Sequence, residues 1–234
     1  MTIIHTPPPF TNRIQYQNCK QVNLEGKRLY ESPDGKKTPS VTTILSATKD
    51  MTHLIEWKKR VGKENAQRIS TEAAGVGTAM HNNLERYIAG IERLPGKNLV
   101  HVKAHSMASV IIENAFVNIS EIWAAEQSLY YPELYSGTTD LIGVLNGEEA
   151  VMDYKQTIKP KKPEWVSSYY EQLMAYILAH NKVYGTNIRR GSIFMCSQDL
   201  QYQQFDLLPQ DFNKWEDTWW TTVETYYRMH TNEL

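Results

Sequence analysis

The stretch Ser136 to Thr157, SGTTDLIGVLNGEEAVMDYKQT, constrains the fold more than any other. Its Asn146-Gly147 pair is a strong two-residue hairpin signal, because a type I′ turn needs positive φ at both central positions. The flanks are rich in Leu, Ile, Val and Met and read as two strands around that turn. Residues equidistant from the turn then pair across the strands: Leu145 with Glu148, Asp140 with Asp153, Thr138 with Lys155. Side chains alternate along a strand, so the last four project from one face. Directly opposed Cβ atoms lie about 4.5–5.5 Å apart, and like charges there are destabilising. Two opposed carboxylates among Leu141, Ile142, Val151 and Met152 therefore call for a cation, which a hard divalent ion bound by carboxylate oxygens supplies. Lys155, on the same face, is placed to stabilise an oxyanion or to orient a water. The plain alternative, a pair of solvent-facing aspartates, fits poorly with such apolar neighbours.

The rest of the chain builds around this hairpin. Residues 21–45 alternate and turn, with a hairpin around Pro33-Asp34-Gly35 leading into a helix near Ser40 to Leu45. Residues 51–70 are helical in pattern and carry Lys58, Lys59, Arg60, Lys63 and Arg68. Gly75-Val76-Gly77 predicts a break, with a new helix starting near Thr78, and residues 100–118 predict another helix. From residue 120 onward the order reads β-β-β-α-β-β-α, ending in a Trp- and Tyr-rich helix from Pro209. The class is α/β: a central mixed β-sheet flanked by helices, with an N-terminal helical region. Residues 1–74 read as a hairpin and helical arch region, and residues 75–234 as the core, together one unit.

Composition narrows the function. A net charge of -1 gives no global pull toward a polyanion, so any nucleic-acid contact must be a local patch. The basic helix and the loop Lys159-Pro160-Lys161-Lys162 are the candidates, each against the alternative of a solvated charged face. The two cysteines, Cys19 and Cys196, make neither a disulfide framework nor a CxxC zinc pair. No apolar run is long enough to span a bilayer. MTIIHTPPPF lacks the features of a secretory leader or a mitochondrial presequence, so the expected location is intracellular and cytoplasmic.

At the hairpin the sequence resembles the PD-(D/E)XK nuclease superfamily, in its RecB-type branch. Asp153-Tyr154-Lys155 matches the D-x-K element, and Ser136-Gly137-Thr138-Thr139-Asp140 matches the glycine-led approach to the preceding metal-binding aspartate. Gly77-Thr78-Ala79-Met80-His81 is similar to the family's glycine-then-histidine helix start. Gln172 to Tyr176 matches its QxxxY helix element. Glu126 stands where such proteins often carry a further acid. These elements cover about residues 75–180. The segment PSVTTIL further resembles phage-encoded relatives of the mitochondrial genome maintenance exonuclease.

The resemblance implies a restriction-endonuclease-like core and metal-dependent hydrolysis of DNA. Mg²⁺ or Mn²⁺ would be held by His81, Asp140, Asp153 and the Tyr154 carbonyl. Lys155 would position water or neutralise charge, with Glu126 supporting a second ion or an outer-shell contact. Gln172 and Tyr176, four apart on one helix face, would touch DNA or brace the lysine. Tyr169 and Tyr170 either stack on bases or pack on the sheet. The implied activity is an exonuclease on single-stranded DNA with free ends. A duplex-end recombination exonuclease and a non-catalytic DNA-binding module on the same fold are the rivals. If phage-encoded, the protein would work in the host cytoplasm.

Overall fold

Asn146 and Gly147 both adopt positive φ (51° and 82°), and the turn they form joins the second and third strands of the main sheet. The structure, a computed structural model, describes residues 6–24 and 27–230. The first five residues of the proline-rich lead-in and the last four of the C-terminal tail lie outside the described residues. Three strands, β1 (Lys20–Leu24), β2 (Lys27–Glu31) and β3 (Lys37–Pro39), form a small antiparallel sheet. Helices α1 (Val41–Thr48), α2 (Thr52–Val61), α3 (Lys63–Ile88) and α4 (Leu99–Asn114) follow. The main sheet comprises β4 (Ile119–Tyr131), β5 (Tyr135–Leu145), β6 (Glu148–Thr157), β7 (Arg190–Ser197) and β8 (Tyr202–Leu207), hydrogen-bonded in that order. Helix α5 (Ser167–Tyr184) crosses from β6 to β7, and α6 (Phe212–His230) ends the described chain.

The sheet is mixed because the α5 crossover makes β6 and β7 parallel, while the other neighbours are antiparallel hairpins. This is the expected α/β class, a five-stranded mixed sheet between helices, consistent with a restriction-endonuclease-like core. The near-continuous apolar runs of β5 and β6 follow from burial on both faces. Ile142, Val151 and Ile193 pack toward α1, α5 and α6; Leu141, Met152 and Phe194 pack toward α3 and α4. Of the tail's Trp and Tyr residues, Trp219 is fully buried and meets Tyr135 edge-on at 5.0 Å, while Trp215, Trp220, Tyr226 and Tyr227 are partly buried against the same core. Among the described residues no helix is long and apolar enough to cross a membrane.

Three local expectations need correction. The basic segment over 51–70 is two helices, because Gly62 takes a φ of 83° between α2 and α3. Gly75-Val76-Gly77 does not break the chain's helix: α3 runs through it from Lys63 to Ile88. Glycine costs a helix up to about 1 kcal/mol, but Val76, Ala79, Met80 and Leu84 bury one stripe of α3 against α4, and that burial outweighs the cost. His81 therefore sits mid-helix and not on a first turn. Lastly, the β5–β6 ladder keeps the expected register from Leu145↔Glu148 to Leu141↔Met152 and ends there, one step short of Asp140 and Asp153.

Candidate active site

The end of that ladder is where the site begins. Asp140 Oδ2 accepts the Tyr154 backbone N–H at 2.6 Å, so a side chain takes over a main-chain donor. Beyond this point Tyr154 turns its ring into the α3–α4 core, stacked on Phe194 and Phe116. Strand alternation then sends Asp153 and Lys155 to the opposite face, toward α5.

Two groups of side chains converge here. In the first, ligand atoms of His81, Glu126 and Asp140 all lie within 4.8 Å of one another. His81 Nδ1 is 3.6 Å from Asp140 Oδ1, and its Nε2 is 3.1 Å from the Tyr154 carbonyl oxygen. A proton on Nε2 would be donated to that carbonyl, leaving the Nδ1 lone pair toward the acids. Burial holds the imidazole below its usual pKa, which favours this neutral form. Glu126 sits across from Asp140 between the pairs Ala125↔Leu141 and Gln127↔Thr139, with a φ of 48° that L-residues rarely adopt. Burial first, and then Asp140 and Glu85, push its carboxyl up to about 7. Burial, followed by Asp153, raises Asp140 well above the usual carboxylate range. Carboxyls crowded this way, Asp140 buried and Glu126 at the exposed edge, are a candidate donor set for a hard divalent cation: one imidazole nitrogen and oxygens otherwise.

The second group is Asp153, Lys155, Gln172 and Tyr176. Lys155 Nζ pairs with Asp153 Oδ2. Gln172 Nε2 donates to Asp153 Oδ1 at 3.3 Å and to the Tyr176 hydroxyl at 3.2 Å. Burial opposes the Lys155 charge, yet Asp153 and Asp140 more than offset this and hold the ammonium above its usual range. Tyr169 lies against the same ammonium, with Nζ 5.6 Å from the ring centroid. Tyr176 reaches this position because β5 carries Gly137 beneath it. A Cβ there would lie 2.8 Å from Tyr176 Cε1.

The remaining sequence candidates are scattered. Lys58 and Lys59 line a groove between α2 and α3 together with Ile55, Lys63 and Gln67, and no residue of the two groups lines it. Arg68 is exposed and lies 4.0 Å from Glu72 on its own helix. Tyr170 packs on Trp215 of α6, ring centroids 4.8 Å apart. Lys159 and Lys162 are exposed, and Lys161 is half-buried in the loop after β6. One contributor has no motif to mark it. Gln156 Nε2 donates to the Ala73 carbonyl of α3 at 3.1 Å, and its Cγ would be 3.4 Å from a Cβ on Gly77. It fixes the histidine-bearing helix to β6, and its place directly after the D-x-K triplet was the available signal.

No known family profile matches the chain, and no curated protein does. Among solved structures, the chain is similar to the crystal structure of SSO0001, with 14% identity and a TM-score of 0.39 over 80% of this chain and 76% of that one. It is also similar to an alkaline exonuclease (LHK-Exo) from Laribacter hongkongensis, with 13% identity and a TM-score of 0.30 over 67% of this chain and 83% of that one. Neither likeness bears on function at these values.

Proposed function

We propose that the chain is a metal-dependent deoxyribonuclease, an exonuclease hydrolysing phosphodiester bonds of single-stranded DNA from free ends. The observation that carries this reading is the juxtaposition of the two groups: a His–Glu–Asp donor set beside a buried, doubly held Asp–Lys pair. His81, Glu126 and Asp140 would hold Mg²⁺ or Mn²⁺, with Asp153 and the Tyr154 carbonyl as neighbouring oxygen donors. When bound, such an ion polarises a phosphate oxygen and lowers the pKa of a coordinated water.

The protein's own groups do the rest. Lys155 keeps its proton, so it donates to the phosphate as charge builds on the phosphoryl oxygens. Asp153 orients that ammonium, and Gln172, held in turn against Tyr176, fixes Asp153. Without an ion, burial and the neighbouring acids bring Glu126 to about 7, so near neutral pH it would give up its proton readily to serve as an oxygen ligand. A single-strand substrate and an exonucleolytic mode are what the family resemblance implies.

The test is digestion of end-labelled single-stranded and duplex DNA with Mg²⁺, Mn²⁺ or EDTA, comparing wild type with Lys155→Ala. Metal-dependent shortening that is lost in Lys155→Ala is expected. Absence of cleavage under both metals, with DNA binding intact, would leave a binding module and refute the nuclease.

A further inference from the structure

The basic residues of α2 and α3 stand apart from the two groups, yet they share a helix face with one of them. Ile55, Lys58 and Lys59 recur at i, i+3 and i+4 along α2, and Lys63, Gln67 and Ser70 at i, i+4 and i+7 along α3. The two faces meet at Gly62 and line a single groove. Three lysines line it and no carboxylate does. Glu56 and Glu64 each follow a groove residue by one position, about 100° round the helix and off that face. Glu56 lies 4.0 Å from His53 instead, and Glu72 lies 4.0 Å from Arg68. Among the described residues none of the three lysines has an ion-pair partner.

Helix stability accounts for only part of this charge. Lys58 and Lys59 occupy the last turn of α2, where a cation suits the negative end of the helix dipole. Lys63 opens α3, where the dipole is positive and a cation is unfavourable. Three like charges gathered from two helices also repel one another. Beside them Ile55 is 49% exposed, and no residue of α2 is buried. A polyanion in the groove would turn this repulsion into attraction.

The α3 side of the groove leads to the His–Glu–Asp set. Lys63, Gln67, Ser70, Ala74, Gly77 and His81 follow at alternating four- and three-residue steps, so they form one stripe of an uninterrupted helix. The first three line the groove, while Gly77 and His81 line the hollow that also includes Glu126. Between them Ser70 and Ala74 are small and exposed. At 1.5 Å per residue, Ser70 stands about 16 Å and Lys63 about 27 Å from His81 along the helix.

We propose that the α2–α3 groove binds the sugar-phosphate backbone of a single DNA strand, and that the low stripe of α3 carries the strand from there to the site. The direction of the strand rests on the nuclease reading; the affinity of the groove for a polyanion does not. Backbone contacts position a strand without reading its sequence.

The test separates binding from cleavage. Affinity of the full chain for a fluorescent oligothymidylate is measured in EDTA across a range of salt. The groove variant is Lys58→Ala/Lys59→Ala/Lys63→Ala, compared with the same three positions changed to Arg. A control, Lys20→Ala/Lys97→Ala/Lys214→Ala, removes equal charge from exposed sites elsewhere. Each phosphate contact contributes about 0.7 to the salt slope of a single strand, so the groove variant should lose about two units of slope and bind roughly 100-fold more weakly near 0.1 M salt. The arginine variant should stay within a few-fold of wild type, and the control should keep the wild-type slope. Ala74→Glu sets an acid on the stripe and should weaken binding; wild-type affinity there would refute the path. A groove variant with the wild-type slope, a control that loses as much, or wild type that binds no strand would overturn the groove. With Mg²⁺, the groove variant should lose cleavage through KM more than kcat. Wild type that binds and cleaves nothing would overturn the nuclease reading, and a groove-dependent slope would then uphold the groove by itself.

Discussion

Replacing Gly137 by alanine tests how the fold holds the site. A Cβ at this position would lie 2.8 Å from Tyr176 Cε1 and 3.2 Å from its hydroxyl oxygen. Carbon–carbon contacts are optimal at about 3.5–4.0 Å, so the ring must retreat by roughly 0.7–1.2 Å. It is fully surrounded: Tyr176 is 2% exposed, in the middle of nine consecutive buried residues of α5. Overpacking of that kind costs about 1–3 kcal/mol. For a chain of this length each kcal/mol lowers Tm by roughly 2–4 °C, so a fall of about 2–12 °C is expected. Alanine is otherwise the better strand residue by roughly 0.5–1 kcal/mol, so the whole loss must come from the clash. The assay is a double-mutant cycle by thermal and urea denaturation. With Tyr176→Ala already in place, Gly137→Ala should be neutral or mildly stabilising, giving a coupling of about 2 kcal/mol. A coupling below roughly 0.5 kcal/mol would refute the reasoning, because the cost would then lie elsewhere. The proposed nuclease activity should fall in Gly137→Ala as well, since Gln172 and Asp153 follow the Tyr176 hydroxyl.

Three further outcomes are expected. Gln172→Leu leaves Asp153 Oδ1 without its donor, costing about 1–3 kcal/mol of stability and 10- to 100-fold in cleavage rate as Lys155 loses its fixed partner; equal rates would remove Gln172 from the site. Glu126→Gly should raise the metal-free Tm, because it relieves a left-handed non-glycine residue worth about 1 kcal/mol, while abolishing most of the Tm gain on adding Mn²⁺; calorimetry with and without metal reads both. His180, buried between the Tyr16 hydroxyl and Thr186 Oγ1, has its pKa pressed down to about 4 by burial. The unfolded chain, near 6.5, binds this proton first, so the contribution is complete above about pH 6.5 and is lost as pH falls toward 4. It amounts to about 3 kcal/mol, and His180→Gln should flatten the urea-denaturation profile across that window; an unchanged slope would rule His180 out.

The two scales of the molecule differ in how far the chain alone reveals them. The hairpin register followed from Asn146-Gly147 because turn chemistry fixes register locally, and the apolar runs of β5 and β6 announced burial on both faces. The failures came where tertiary contacts overruled local preference. Gly75 and Gly77 read as a helix break, yet α3 continues because Val76 and Met80 pack on α4. Gly62, a single residue with positive φ, made the break that two glycines did not.

At the site the same distinction explains what register arithmetic reached and what it missed. Ladder pairing correctly runs to Leu141↔Met152, and one more step would set Asp140 against Asp153. The chain instead uses the Asp140 carboxylate to accept the Tyr154 N–H, which sends the two aspartates to different partners. Asp140 joins His81 and Glu126, and Asp153 joins Lys155 and Gln172. No periodicity encodes that separation. It depends on a histidine from α3, an acid at a left-handed position of β4 and a glutamine from α5, each brought in by packing across the sheet. Opposed carboxylates would have needed one cation between them. Separated, one aspartate carries its own cation in Lys155, and the other is left with a histidine and a glutamate, the candidate ligands of a divalent ion. The departure from ideal pairing is thus what divides the hairpin's charges into a positioned ammonium and a candidate metal-binding set.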